Sequence, residues 1–194
     1  MKLKLYKIFL VILFIFIGIN IYFIIIKYTN SNLAEKENKK IVETFFREKS
    51  NDREINMKGY RVIGIVKISK IKIEYPILDI DNYNPEETKE PMKISIVKYW
   101  GGNVNDFGNL SIAGHNNYNG TMFGKIKFLE KGDIIELTDL NNQTLKYFIE
   151  NIFVTDPNDV TILQTIDEGV REVTLITCTN GNRQRLVLKA REKF

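Results

Sequence analysis

One cysteine, Cys178, and one histidine, His115, occur in the 194 residues. Cys178 ends an apolar run, Thr174-Leu175-Ile176-Thr177-Cys178, and opens the polar loop Thr179-Asn180-Gly181-Asn182-Arg183. His115 follows the run Asn109-Leu110-Ser111-Ile112-Ala113 through Gly114 and leads into Asn116-Asn117-Tyr118-Asn119-Gly120. Both stand where a strand opens into a loop, the place where a rigid scaffold displays reactive groups. A thiol with an imidazole is the minimum set for thiol catalysis, because the imidazole lowers the thiol pKa and then handles protons. Arg183 and Arg185 follow the cysteine. A guanidinium keeps its charge at any relevant pH and presents a fork of donors, which suits an oxyanion or a peptide carbonyl. Position alone leaves other roles open: a buried cysteine acting as a small hydrophobe, a structural histidine, and solvated arginines. A lone cysteine makes no internal disulfide, and one Cys with one His cannot supply the four ligands of a structural zinc site.

The elements that must carry these residues are β in texture from Tyr60 onward. Val62, Ile63, Ile65, Val66, Ile68, Ile71 and Ile73 are β-branched, with Lys and Ser between them. Residues 67–78 predict two short strands joined by a tight turn, and 79–91 a polar loop with two prolines. Residues 109–113 predict a strand, 121–129 a helix with Met122, Ile126 and Leu129 on one face, and 134–140 and 144–156 two strands around a turn at 141–143. Residues 157–166 predict a connection with a short helical turn, and 173–178 and 185–192 the last two strands. Seven or eight short strands without βαβ alternation predict a closed or nearly closed β-barrel, since closure removes exposed edges. The stretch from 60 to the end is long enough to build a core without disulfide staples.

The N-terminus is a different object. Residues 8–26 carry no charge and one polar side chain, Asn20. About 20 apolar residues suffice to cross a bilayer as a helix. The run exceeds a signal-peptide apolar region and lacks a small-x-small cleavage pattern after it, so residues 1–27 predict an uncleaved signal anchor; a cleaved signal peptide is the other reading. Lys2, Lys4 and Lys7 precede the run with no acid nearby, which places the N-terminus in the cytoplasm and residues 28–194 outside. Residues 1–27 hold four of the 28 basic residues and none of the 24 acidic ones, so they carry the whole net charge of +4. The remainder is balanced, which argues against a nucleic-acid partner, because that needs a basic patch on the folded domain. Residues 28–58 predict a charged, partly helical stalk able to lay Phe45 and Phe46 on the domain, and 59–194 the globular domain.

On these residues the chain resembles the sortases, membrane-anchored cysteine transpeptidases of Gram-positive bacteria. Thr174-Leu175-Ile176-Thr177-Cys178 fits the family's TLxTC signature, Ala113-Gly114-His115-Asn116 the segment around its histidine, and Arg185-Leu186-Val187-Leu188-Lys189-Ala190 the arginine that opens its last strand. Weaker echoes are residues 63–78 and 156–163. The resemblance implies a sortase-type β-barrel in which Cys178 is the nucleophile, His115 the general acid and base, and Arg185 the group that holds substrate and oxyanion. Thr177, Asn116 and Trp100 become candidate substrate-binding residues, with core packing as the other reading of Trp100. The implied reaction cleaves an LPxTG-like C-terminal sorting signal on a surface protein through an acyl-thioester. The acyl group then passes to an amine of a peptidoglycan precursor, or to a pilin lysine in the pilus-assembling type. No pilus-type lid is visible in 28–58 and no second hydrophobic tail follows the barrel, so the expectation is a housekeeping-like or class D-like member. No cofactor is implied. Some relatives bind calcium on acidic loops, and Asp79, Asp81, Glu86, Glu87 and Glu90 crowd one loop here, with solvated charges as the simpler reading. Two other classes compete: a non-enzymatic, membrane-tethered β-barrel binding module with a structural Cys178, and another exported thiol enzyme. An L,D-transpeptidase would show a Ser-His-Gly-Cys run, which this sequence lacks.

Overall fold

The computed structural model describes residues 2–47, 54–80, 87–165 and 169–193. Helix α1 spans Lys2–Arg47. The chain divides into two compact units, residues 1–36 and 37–194. In the first, the apolar side chains from Ile8 to Ile26, except the partly buried Leu10, are exposed around the helix, and the helix is long and apolar enough to cross a membrane. Its one polar side chain there, Asn20, donates to Phe16 O at 2.7 Å. That bond meets the need of an amide placed in hydrocarbon, where no water can serve it.

The second unit is built on nine strands among the described residues: β1 (Asn56–Met57), β2 (Tyr60–Ile68), β3 (Ile73–Leu78), β4 (Ile96–Trp100), β5 (Gly108–Ala113), β6 (Ile134–Asp139), β7 (Thr144–Thr155), β8 (Arg171–Thr179) and β9 (Gln184–Glu192). Eight of them close a barrel in the order β2-β3-β4-β5-β8-β9-β7-β6, with β6 pairing back to β2, while the two-residue β1 sits on β2. The expected barrel is therefore present with eight strands in the ring. The closing pair runs very close at Gly64, where a Cβ would lie 2.6 Å from Thr138 O and 2.8 Å from Val104 Cγ2. Glycine is the side chain that fits there, and the register of β2 against β3 shifts at the same point.

Most strands are apolar on both faces because both are covered. The lumen is filled by Ile63, Val66, Ile68, Tyr75, Ile77, Ile112, Leu175, Leu188 and their neighbours. Outside, Val42 and Phe45 of α1 pack with Ile55, Met57, Val62, Ile65, Leu78, Val97 and Ala113. A second outer cluster joins Ile162 and Leu163 to Ile176 and Val187. Residues 37–47, read in the sequence as stalk, thus pack within the barrel unit; Phe45 is fully buried, whereas Phe46 is half exposed. Asn38 adds a polar tie, donating from Nδ2 to Ile94 O at 2.8 Å.

Three local expectations need correction. The helix expected over 121–129 is a single 3-10 turn, Ile126–Phe128. Its would-be first turn is spent elsewhere: Met122 takes a left-handed φ of 50°, Met122 N donates to the Tyr75 hydroxyl at 2.8 Å, and Phe123 N donates to His115 O at 3.0 Å. Strand β4 was not foreseen, and it runs parallel to β3 across a connection that holds a short helix, α2 (Lys89–Met92), inside the expected polar loop. The acidic residues Asp81 and Glu86 of that loop lie outside the described residues. Asp79 is buried between two cations, Arg61 and Lys98, the latter at 3.3 Å. Among the described residues no group of three His, Cys, Asp or Glu side chains could hold a metal ion.

The burial contrast between adjacent phenylalanines is directly measurable. Phe45→Ala should lower the stability of the barrel unit by about 3–5 kcal/mol, against under about 1 kcal/mol for Phe46→Ala. Urea unfolding of the full chain in detergent, followed by the fluorescence of Trp100, reads both; equal losses would show that α1 does not cover this face.

Candidate active site

Two strand registers bring the distant reactive residues together. Strands β5 and β8 are parallel and paired without a slip from Gly108↔Arg171 to Ala113↔Ile176. Two residues further on, the same register sets His115 level with Cys178. Strands β8 and β9 are antiparallel, and Cys178 pairs directly with Arg185. The hairpin between them is Asn180-Gly181-Asn182-Arg183, in which Asn180, Gly181 and Asn182 take left-handed φ of 48°, 64° and 71°. Asn and Gly are the residues that adopt that region at least strain, so this short loop can reverse tightly enough to hold the pairing.

Side-chain alternation fixes the face. Leu175 and Leu188 point into the lumen, while Ile176 and Val187 belong to the outer cluster. With a period of two, Cys178 and Arg185 share the outer face with Ile176 and Val187. Ala113 is also in an outer cluster, which gives His115 the same side by alternation. The result is a row of His115, Cys178 and Arg185 across three strand ends, all three partly buried. The next row back is Ala113, Ile176 and Val187, an apolar floor that is almost wholly buried.

Arg185 Nη1 donates to Asn182 O at 3.1 Å and to Gln184 O at 3.2 Å. These bonds hold the guanidinium against its own loop. Thr177, which points to the lumen side, donates its hydroxyl to Gly114 O at 2.7 Å in a buried bond. Asn116 Nδ2 donates to Cys178 O at 2.8 Å. Of the three candidate substrate-binding residues, Asn116 is thus bonded to the backbone of the row itself and Thr177 to that of Gly114, the residue before His115. The third, Trp100, pairs with Ser111 and so lies level with Thr174, about 13 Å along the sheet from the row at 3.3 Å per residue. It is not brought to the row. Arg183 is exposed in the hairpin and does not join it either.

Sequence reading passed over the polar clamp that sets one wall. Asn109 Nδ2 donates to Ile162 O (3.3 Å) and Leu163 O (3.2 Å), and its Oδ1 accepts from Thr174 at 2.8 Å. Lys189 Nζ donates to Gln164 O at 3.3 Å, and burial holds this lysine below the usual range. Asp159 caps the 3-10 turn Val160–Leu163, accepting from Thr155 at 2.6 Å and from Thr161 N at 3.0 Å. Hydrogen bonds from Thr155 and Thr161 keep its carboxyl below the ordinary carboxylate value. The 156–164 connection is thereby fixed on the outer face beside the apolar floor. The signals for this clamp were Thr174, inside the TLxTC signature, and the echo over 156–163 with its expected helical turn, which is the 3-10 turn Val160–Leu163.

Gly114 is the hinge through which the chain leaves β5 for His115. A Cβ there would lie 2.8 Å from Ile96 Cγ2 and 2.9 Å from Phe123 Cδ2. Gly114→Ala should lower stability by about 1–3 kcal/mol through overpacking and displace the His115 turn. An unchanged urea midpoint would contradict the close approach.

A family model described as the sortase domain matches residues 66–193, which include the whole row. The chain is 30% identical over 131 residues to Sortase A of Bacillus anthracis, an alignment covering 66% of this chain and 58% of that protein. It is 28% identical over 139 residues to Sortase A of Staphylococcus aureus (strain NCTC 8325 / PS 47), covering 69% of this chain and 63% of that protein. The match thus spans less than two thirds of either curated relative. Among solved structures, a Clostridium perfringens Sortase D5 transpeptidase matches with a TM-score of 0.65 at 26% identity, covering 84% of this chain and 99% of that chain. Fold, signature residues and these similarities agree: the chain belongs to the sortase family.

Proposed function

We propose that the protein is a membrane-anchored cysteine transpeptidase that processes C-terminal sorting signals of surface proteins. The observation that carries this is the row of His115, Cys178 and Arg185, set by two independent strand registers on one face of the barrel. In the first step the Cys178 thiolate attacks the carbonyl carbon of a Thr-Gly-type bond in an LPxTG-like signal. The tetrahedral oxyanion faces the guanidinium of Arg185, and His115 gives its proton to the departing amine. The acyl group is then held as a thioester, which splits one hard step into two and keeps the acyl carbon activated. In the second step an amine of a peptidoglycan precursor attacks the thioester, His115 takes its proton, and the Cys178 thiolate leaves.

The anchor fits this chemistry. Residues 8–26 cross the membrane, Lys2, Lys4 and Lys7 remain in the cytoplasm, and residues 28–194 lie outside. Tethering holds the site next to membrane-bound substrate and precursor, which raises their effective concentration. The division into 1–27 as tip and anchor, 28–58 as stalk and 59–194 as catalytic barrel follows, with the end of the stalk segment packed on the barrel. Of the two expected subclasses, the class D-like one draws support from the Sortase D5 structure and the housekeeping-like one from the two Sortase A relatives.

Incubating the full chain in detergent with an LPxTG-like peptide should give an acyl adduct on Cys178 by mass spectrometry, and added amine should convert it to a transfer product. Cys178→Ala should abolish both; transfer by that variant would refute the mechanism. Arg185→Lys keeps the charge but loses the fork. It should reduce kcat/KM by about 10²-fold, the scale of one lost oxyanion donor. Wild-type kcat/KM in Arg185→Lys would remove the guanidinium from the reacting centre.

A further inference from the structure

The pairing of β5 with β8 does not stop where their backbones part. The last backbone bond of the ladder runs from Gly114 N to Ile176 O at 3.1 Å. In a parallel ladder the two strands donate alternately, and the next rung donated from the β5 side would join the N–H of residue 116 to the carbonyl of residue 178. That rung exists, but a side chain makes it: Asn116 Nδ2 donates to Cys178 O at 2.8 Å. The backbone has already turned away, because His115 O accepts from Phe123 N and Asn116 faces Met122 in an isolated antiparallel bridge. Between the two rungs, the Thr177 hydroxyl bonds Gly114 O. The chain thus turns out of the sheet just after His115, while the residues on either side of it stay tied to the cysteine strand.

We propose that Asn116 is a positioning residue: its carboxamide ties the Cys178 carbonyl to the His115 turn and so fixes the spacing of thiol and imidazole. Its kinetic consequence rests on the transpeptidase mechanism above; its structural consequence does not. Asn116 is exposed, so replacing it removes a tie rather than core packing. Asp has the same shape but, when ionised, offers only acceptors to a carbonyl, which isolates the donated hydrogen. Gln keeps the donor on a longer arm.

The test uses the full chain in detergent with Asn116→Ala, Asn116→Asp and Asn116→Gln. Two quantities are read: steady-state transfer of an LPxTG-like peptide to an amine, and the alkylation rate of Cys178 by iodoacetamide without peptide. Ala and Asp should lower kcat by about tenfold or more, since misplacement near 1 Å can cost still more, with KM within about twofold. Both should slow alkylation in proportion, and Gln should recover most of the loss. A raised KM with unchanged kcat and alkylation would make Asn116 a substrate contact and overturn the proposal. Wild-type rates in Asn116→Asp would overturn it as well. Should Asn116→Ala fail to fold, the Asp and Gln pair decides alone. Transfer surviving in Cys178→Ala would sink the transpeptidase mechanism instead, and the substrate-free alkylation rates would still judge Asn116.

Discussion

The unbroken parallel register of β5 against β8, continued two residues past Ala113↔Ile176, sets His115 level with Cys178, and the proposed chemistry depends on it. Side chains in a strand alternate with a period of two, so a slip of one residue would turn Cys178 into the lumen and leave Thr177 on the outer face. Four features hold the register. Leu110, Ile112, Val173 and Leu175 pack inside the barrel, Ala113 and Ile176 pack outside it, Thr174 bonds Asn109, and Thr177 bonds Gly114. The threonines of the TLxTC signature therefore have a physical account: one bonds an outer-face clamp, the other bonds the neighbouring strand just below the histidine. The Asn-Gly-Asn hairpin then sets Arg185 opposite the cysteine on the other side.

Much of this was legible from residue types. Seven of the eight ring strands followed from β-branched runs and turn residues, and closure followed from the number of short strands. The single Cys and the single His at two strand ends drew attention by scarcity, but their roles and that of Arg185 came from the resemblance carried by the TLxTC, Ala-Gly-His-Asn and Arg185–Ala190 segments. What escaped was non-local. Strand β4 lies parallel to β3, and its short run from Ile96 to Trp100 gives no hairpin signal to either neighbour. The 121–129 segment has a helical apolar spacing, but those side chains enter the lumen from a loop pinned by Tyr75 and His115 O. Burial of Met122 and Ile126 produced the spacing; the backbone bonds went elsewhere. Asn116 and Thr177 were expected at the substrate because they flank the reactive residues. Their bonds to Cys178 O and Gly114 O show that flanking side chains can serve the scaffold first.

The charge of the chain divides the same way as its structure. The whole net excess lies in the first 27 residues, around a helix whose apolar surface is exposed, while the barrel unit and its linker are balanced. A domain without net charge has no strong long-range field of one sign, so the proposed chemistry rests on the local geometry of a partly buried thiol, an imidazole and a guanidinium on one sheet face.

The most direct measurement is a crystal structure of the barrel with an LPxTG-like peptide analogue bonded covalently to Cys178. The strand registers predict the analogue's carbonyl oxygen within hydrogen-bond reach of the Arg185 guanidinium, with the His115 ring on the opposite side of the sulfur. An Arg185 turned to solvent, or a peptide leaving the sulfur toward the far side of the sheet, would contradict the row as the catalytic unit.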